Sequence, residues 1–368
     1  MVDRVLEFLR ATGVEKPGSG LGYGFESLAM EVFSYQYGNN PGYRRWCESV
    51  GRTPGSIKGL DDIPAVPTSA FKEMEFVCGS PAHEFRTSGT SGAGQGRHLL
   101  PSLEPYRVGA LSHFVSCVMP ERWKMRTLML APSPEIKPHS SLSRMLAWIL
   151  SEWGEKGSGW YVSGKGLERE RLAEMLLDSA RGGVPVLLAG TTAAFLDLFD
   201  FCSKEKLKVV LPGGSRIMDT GGRKGTGARE YMPLGKFQEL FREKAGDLLG
   251  VAAERCVNEY GMTELCSQFY DSSLVDAAEK RERRRVLLGP PWVLTTVLNP
   301  VTLEKLPEGR SGILKHLDLA NVGSVMSVLT EDMGHLAEGG FVLEGRPADA
   351  EDRGCGLTFE ELSGGGGA

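Results

Sequence analysis

The chain has 368 residues, of which 41% are hydrophobic and 24% are charged, and this composition is typical of a globular protein with a large core. Its net charge of −5 gives no positive surface for a nucleic acid, so no nucleic-acid partner is expected. No apolar stretch approaches the roughly 20 residues of a membrane span and no signal peptide is visible, so we expect a cytoplasmic protein without a membrane span.

The first part of the chain predicts helices and then a stiff approach to a glycine-rich run. Residues 2–11 and 22–36 carry apolar side chains at helical spacing, which predicts an N-terminal helical segment over residues 1–62. Residues 63–72 contain two prolines and predict an extended lead-in.

Apolar strands and helical patterns alternate over residues 63–285, which predicts an α/β core with a mostly parallel sheet flanked by helices. The predicted helices cover residues 106–118, 142–153, 191–201 and 234–245, and the predicted strands cover residues 127–131, 184–190, 207–211 and 255–261. Short β-like runs predict an antiparallel β subdomain over residues 286–346, followed by a short tail, 347–368. The runs cover residues 292–298, 312–317, 325–329 and 340–344.

The glycine-rich run, residues 86–98, places four hydroxyl side chains among glycines and ends on Arg97 and His98. Glycine permits tight turns and close backbone approach to a ligand, and successive backbone N–H groups in such a turn can surround an anion. The run lacks the Walker and Rossmann spacings. A polyphosphate is the ligand that suits this run best, and a flexible linker is the alternative interpretation. The residues concerned are Thr87, Ser88, Gly89, Thr90, Ser91 and Gly92.

Four further motifs follow in order along the chain. A second glycine turn, residues 219–225, contains Lys224. Residues 258–264 include Tyr260, Gly261, Thr263 and Glu264, and later come Asp332-x-Gly334 and Gly345-Arg346. Taken one at a time, Tyr260 could be a core aromatic residue, Glu264 a surface residue and Asp332 a turn residue. The order of the motifs makes a shared site the better interpretation.

From residue 63 to Arg346 this set resembles the adenylate-forming superfamily, which includes acyl-CoA synthetases, peptide adenylation domains and luciferases. The resemblance implies the superfamily's N-terminal-domain fold and a reaction in which a carboxylate attacks the α-phosphate of ATP. It also implies that Tyr260 lies against adenine and that Thr263 binds the α-phosphate. The remaining implied roles are Mg²⁺ binding by Glu264, ribose binding by Asp332, ribose or phosphate binding by Arg346, and β- and γ-phosphate binding by the glycine-rich run with Arg97.

The chain departs from most of the superfamily after Arg346, where only 22 residues follow. We therefore expect it to lack the mobile C-terminal domain and the catalytic lysine which that domain delivers. Lys224, in the second glycine turn, is the candidate for the missing cation.

A narrower resemblance is to the acyl-protein synthetases of bacterial luminescence (LuxE-type, long-chain-fatty-acid–protein ligases). It is carried by the length, the proline lead-in, the Thr-Ser-Gly-Thr-Ser-Gly run and the segment around Cys355, one of seven scattered cysteines without a Cys-x-x-Cys pair. The resemblance implies an acid–thiol ligase that adenylates a fatty acid and transfers the acyl group to Cys355 for a partner acyl reductase. Two alternatives stay open: an aryl-acid adenylating enzyme with a separate acceptor, and a non-catalytic nucleotide-binding partner subunit.

Overall fold

The computed structural model describes residues 1–87, 94–221 and 232–346. Among these residues the helices are α1 (Val2–Thr12), α2 (Phe25–Asn39), α3 (Pro41–Ser49), α4 (Glu104–Val118), α5 (Ser141–Trp153), α6 (Arg169–Gly182), α7 (Thr192–Lys204), α8 (Leu234–Leu249) and α9 (Ser273–Glu279). None of the helices in these ranges is long and apolar enough to cross a membrane.

The strands of the same ranges are β1 (Val66–Pro67), β2 (His83–Arg86), β3 (Arg97–Leu100), β4 (Arg126–Pro132), β5 (Gly159–Ser163), β6 (Gly166–Leu167), β7 (Val186–Thr191), β8 (Arg216–Thr220), β9 (Cys256–Tyr260), β10 (Phe269–Asp271), β11 (Leu287–Leu288), β12 (Val293–Leu298), β13 (Gly312–Asp318), β14 (Ser327–Ala337) and β15 (Gly340–Gly345).

The chain forms two compact units. The first contains residues 1–113, 262–268 and the chain from 288 onward, and the second contains residues 114–261 and 269–287. These boundaries differ from the four consecutive segments inferred from the sequence, and that segment division stays a prediction.

The second unit is built on a mostly parallel sheet in the order β10-β9-β8-β7-β4-β5-β6. Strands β4, β5, β7, β8 and β9 run parallel, while β10 and β6 are antiparallel at the two ends. Gly190 in β7 lies so close to β4 that a Cβ atom there would be 2.2 Å from the Leu130 carbonyl oxygen, so only glycine fits. The predicted α/β fold class is confirmed.

One face of this sheet is covered by helices α6, α7 and α8. Helix α7 begins after Thr191, whose hydroxyl accepts a hydrogen bond from the Ala194 N–H and so caps the helix. Buried apolar side chains from the strands and helices form one continuous core here because near-continuous apolar strands can be covered only by apolar helix faces. Its members include Leu128, Leu130, Leu172, Leu176, Leu188, Phe195, Phe199, Ile217, Phe237 and Phe241.

The predicted strand at residues 207–211 is wrong. These residues form an extended segment, and the next strand is β8, which begins at Arg216. The segment binds the last carbonyls of helix α8 instead. The Val209 N–H donates to the Leu248 carbonyl at 2.8 Å, and the Leu211 N–H donates to the Leu249 carbonyl at 3.1 Å. A short apolar run does not distinguish a strand from an extended segment that satisfies the last carbonyls of a helix.

The first unit carries an antiparallel sheet in the order β12-β13-β14-β15, with β1 added parallel to β14. This is the predicted antiparallel subdomain, and β14 is longer than its predicted run. A separate antiparallel hairpin, β2 with β3, borders the glycine-rich run, with Arg86 opposite Arg97 and Phe85 opposite His98.

Candidate functional site

The base of the glycine-rich run is closed by two hydrogen bonds. The Thr87 N–H donates to the Gly96 carbonyl at 3.0 Å, and the Gly96 N–H donates to the Thr87 hydroxyl at 2.9 Å. Thr87 therefore helps to form the loop as well as being a candidate ligand. The other loop predictions, Ser88, Gly89, Thr90, Ser91 and Gly92, fall outside the described residues and stay predictions.

Two arginines flank this closed base. Arg86 and Arg97 are opposite each other in the β2–β3 hairpin, and the Glu84 carboxylate accepts from both, at 2.7 Å and 3.1 Å. The bond from Arg86 is the main cause that lowers the pKa of Glu84. Arg97 also donates to Glu75 at 2.8 Å. These exposed ion pairs are weak, and phosphate binding by Arg97 stays a prediction.

The Tyr260 motif is divided between the units. Tyr260 ends β9 in the second unit, where it is 8% exposed and its ring centroid lies 5.7 Å from that of Phe269. Thr263 and Glu264 belong to the first unit. Adenine stacking on Tyr260 stays a prediction.

The backbone of Thr263 and Glu264 is held by side chains from elsewhere in the first unit. His98 Nδ1 lies 2.6 Å from the Thr263 carbonyl oxygen, and His98 Nε2 lies 2.9 Å from Asn321 Oδ1. Asn321 Nδ2 donates to the Glu264 carbonyl at 2.8 Å. Burial lowers the pKa of His98 to about 4, and its two polar contacts act in the opposite direction.

The residues that follow Glu264 are held by Asp318, at the end of β13. Its carboxylate accepts from the Cys266 N–H at 3.0 Å and from the Ser267 hydroxyl at 2.8 Å. Ser267 in turn accepts from the Trp292 indole N–H at 2.9 Å. Burial raises the pKa of Asp318 to about 6, against the lowering effect of these hydrogen bonds. Hydrogen bonds from side chains therefore hold the segment 263–267, which belongs to no strand.

The Glu264 carboxylate is buried, 7% exposed, in the field of three charged neighbours. Burial raises its pKa to about 7, Arg346 lowers it, and Glu331 and Asp332 raise it. A divalent cation would stabilise the charged form, so a hard oxygen donor in this setting fits Mg²⁺. Across residues 1–87, 94–221 and 232–346 no group of three or more His, Cys, Asp or Glu side chains is arranged to hold a metal. Magnesium binding by Glu264 stays a prediction.

Asp332 and Arg346 are brought together, as the ordered motifs suggested. Arg346 Nε donates to Asp332 Oδ1 at 3.1 Å, and Arg346 also pairs with Glu331 at 3.1 Å. The Thr330 hydroxyl accepts from the Asp332 N–H at 3.0 Å and donates to the Leu314 carbonyl at 2.9 Å, which holds the backbone of β14 at Asp332. Glu264, Asp332 and Arg346 therefore form one charged group in the first unit. Their roles toward ATP stay predictions.

The second unit has a buried polar group that sequence reasoning missed. Asp219, near the end of β8, accepts from the Thr192 hydroxyl and from Asn258 Nδ2, both at 2.9 Å. Burial raises the pKa of Asp219 to about 6 and that of Glu259 to about 8. Asp219 stood at the start of the second glycine turn, but only the register of β8 with β9 shows that it faces Asn258. Lys224, in the same turn, lies outside the described residues and stays a candidate.

The described cysteines are poor candidates for the acyl carrier. All six are buried. Two of them flank the Tyr260 motif in the sequence, and burial raises the pKa of Cys256 to about 12 and the pKa of Cys266 well above its usual value. Cys355 falls outside the described ranges.

No protein-family model matches this chain. It is 23% identical over 319 residues to the long-chain-fatty-acid–luciferin-component ligase of Vibrio harveyi, covering 84% of this chain and 79% of that protein. The ligase of the same name from Aliivibrio fischeri is 20% identical over 316 residues, with 85% and 79% covered. The chain is similar to these luciferin-component ligases. The resemblance predicted from the motifs is confirmed, and the relatives are enzymes by name, as the predicted ligase requires.

Solved structures agree on the fold. A 2-hydroxyisobutyryl-CoA ligase in complex with its acyl-adenylate matches with a TM-score of 0.62 and 15% identity, covering 88% of this chain and 67% of that chain. ATP-bound MatB from Rhodopseudomonas palustris matches with a TM-score of 0.52 and 16% identity, covering 72% of this chain and 48% of its own. At these identities the likeness shows the fold alone, which is the fold of adenylate-forming ligases.

The buried Glu264 carboxylate predicts a pH-dependent stability difference. Its folded pKa, about 7, lies above the ordinary value of 4.5, so the unfolded state binds fewer protons and the free energy of unfolding falls as pH rises between these values. The free energy of unfolding of Glu264→Gln, relative to that of the wild type, should rise by up to about 3 kcal/mol between pH 5 and pH 8, measured by chemical denaturation without ligands. Glu7→Gln, at an exposed position of α1, is the control. If the difference in unfolding free energy between Glu264→Gln and the wild type does not change with pH, the pKa of Glu264 is not raised.

Proposed function

We propose that this chain is an ATP-dependent ligase that activates a fatty acid as its acyl-adenylate and then transfers the acyl group to the Cys355 thiol, for delivery to a partner acyl reductase. The observation that carries the proposal is the charged group of Glu264, Asp332 and Arg346 in the first unit. Arg346 donates to Asp332 at 3.1 Å, and both residues act electrostatically on the Glu264 carboxylate. The fatty-acid ligase relatives and the adenylate-bound structure support it.

The first half-reaction joins two anions, so the work of the protein is positioning and charge neutralisation. A carboxylate oxygen forms a bond to the α-phosphorus of ATP, the bond from that phosphorus to the bridging oxygen breaks, and pyrophosphate leaves. The Thr263 hydroxyl would donate a hydrogen bond to an α-phosphate oxygen, and Asp332 would accept hydrogen bonds from the ribose hydroxyls. Mg²⁺, when bound to Glu264, would supply charge neutralisation at the phosphates.

In the second half-reaction a thiolate attacks the acyl carbon and AMP leaves. A thiolate is a competent nucleophile for the mixed anhydride, whereas a buried thiol with a raised pKa is not. Burial raises the thiol pKa of Cys47, Cys78 and Cys256 to about 12. Burial also raises the pKa of the other three described cysteines, Cys117, Cys202 and Cys266. This setting supports Cys355 as the acceptor.

The proposed activity predicts acid-dependent exchange of labelled pyrophosphate into ATP. The purified protein with Mg²⁺, ATP and a panel of fatty and aryl acids should show exchange with at least one fatty acid and none without acid. Exchange with aryl acids alone would favour the aryl-acid enzyme. Folded protein without exchange on the whole panel would contradict catalysis and leave the nucleotide-binding subunit.

The ribose role of Asp332 predicts weaker ATP binding in Asp332→Ala, by roughly 1.5–3 kcal/mol in titration calorimetry, the usual range for hydrogen bonds to a charged group. Glu331→Ala is the matched control because Glu331 is the other carboxylate that pairs with Arg346, at 3.1 Å. An equal loss in both variants would place the effect on Arg346 rather than on the ribose.

The carrier role of Cys355 predicts a covalent adduct. After incubation with ATP, Mg²⁺ and the active acid, mass spectrometry should find a hydroxylamine-labile acyl group on Cys355, absent from Cys355→Ser. Pyrophosphate exchange by Cys355→Ser should stay near the wild-type rate because the thiol acts only after adenylation. An adduct on another cysteine, or full transfer by the variant, would refute the assignment.

A further inference from the structure

His98, in the glycine-rich run, contacts the Thr263–Glu264 segment through its side chain. It lies in β3 next to Arg97, is 1% exposed, and meets the Phe71 ring edge-on with centroids 6.1 Å apart. The Thr263 carbonyl oxygen and Asn321 Oδ1 can both only accept, and a neutral imidazole, the form that burial favours, carries one N–H proton. The shorter contact, 2.6 Å to Thr263 against 2.9 Å to Asn321, places that proton on His98 Nδ1.

The second carbonyl of the segment, that of Glu264, is bound by Asn321, whose side chain also contacts His98. Asn321 is fully buried, and its Nδ2 donates to the carbonyl oxygens of Glu264 at 2.8 Å and Val325 at 2.7 Å. Its Oδ1 lies 2.9 Å from His98 Nε2. The consecutive carbonyls of Thr263 and Glu264 are thus bound by two side chains that also contact each other.

One backbone hydrogen bond also spans the segment, from the Leu265 N–H to the Met262 carbonyl at 3.3 Å. Residues 263–264 form a turn between strands, so no ladder determines the direction of their peptide planes. The direction of a carbonyl and the direction of the side chain on the same backbone are coupled because only two soft torsions separate successive peptide planes. The His98 contact therefore helps to decide where the Thr263 hydroxyl and the Glu264 carboxylate point.

We propose that His98 is a positioning residue for adenylation: its Nδ1–H, bonded to the Thr263 carbonyl, holds the Thr263–Glu264 turn in the orientation that the reaction needs. This inference rests on the proposed function. His98 does not touch the reacting atoms itself because both ring nitrogens face protein oxygens and the ring is buried. Its position beside Arg97 also ties the base of the glycine-rich run to this turn.

Two substitutions separate the two nitrogens of the ring. The amide nitrogen of Asn can occupy the place of Nδ1, so His98→Asn keeps a donor for Thr263. The amide nitrogen of Gln reaches the place of Nε2, so His98→Gln keeps only the contact with Asn321. His113 provides the matched control: it is also buried in the first unit, 3% exposed, with Nε2 3.0 Å from the Leu288 carbonyl, and His113→Gln keeps a donor there.

The experiment measures kcat and KM for ATP in pyrophosphate exchange, with thermal unfolding to establish that each variant is folded. We expect His98→Gln to lose about 10- to 100-fold in kcat, the range for small misplacements of reacting groups. We expect His98→Asn to recover to within about threefold of wild type, with His113→Gln also within about threefold. Hydrogen–deuterium exchange should show faster uptake over residues 262–268 in His98→Gln, with helix α4 unchanged.

Several results would overturn the inference. Equal losses in His98→Asn and His98→Gln would refute the role of Nδ1, and full activity of His98→Gln would refute any positioning role. If kcat falls in proportion to the unfolding temperature, and does so equally in the His98 and His113 variants, the role of His98 is structural alone. If His98→Gln does not fold, His98→Asn and His98→Ala still decide the matter. Exchange by His98→Asn near the wild-type rate, together with faster deuterium uptake over residues 262–268 in His98→Ala, supports the inference. Uptake over these residues in His98→Ala that is as slow as in the wild type contradicts it. Wild-type protein without exchange would refute the proposed function and this inference together, and only that result involves the wild type.

Discussion

The geometry of the candidate site depends on the hydrogen bonds that hold the turn at Thr263 and Glu264. Two consecutive carbonyls are bound by His98 and Asn321, and the next residues are bound by Asp318. Buried polar groups that are left unpaired cost about 1–3 kcal/mol each, so these bonds favour one arrangement over its alternatives. A side-chain network can thus fix a short turn where a strand ladder does not reach.

The electrostatics of the site follow from where this turn places the Glu264 side chain. A carboxylate that is 7% exposed is destabilised by burial, and the neighbouring carboxylates of Glu331 and Asp332 add to that effect, while Arg346 opposes it. This arrangement is unfavourable by itself, so the folding free energy of the rest of the chain must offset it. Such conflict is common at functional sites, and a cation bound there would relieve it.

The sequence predicted the parts of this structure that depend on local pattern. The long periodic segments became α1, α2, α4, α5, α7 and α8, and the order of strands predicted the parallel sheet. The pattern failed at residues 207–211, where hydrogen bonds to the end of α8 decide the structure. It also gave no sign of α3, α6 or β5. The contact of Asn321 with Glu264 joins residues 57 apart, and no periodicity shows such a pair. His98 was visible only as the last residue of a glycine-rich run.

The central claim is that a carboxylate of the substrate attacks the α-phosphorus of ATP at this site. Its most direct test is an oxygen-18 transfer experiment with the acid that supports exchange, labelled in both carboxylate oxygens. Because the bridging oxygen comes from the acid and stays with the nucleotide when the acyl carbon is attacked, the account predicts one labelled oxygen in the released AMP. Label in inorganic phosphate with formation of ADP, or AMP without label, would contradict it.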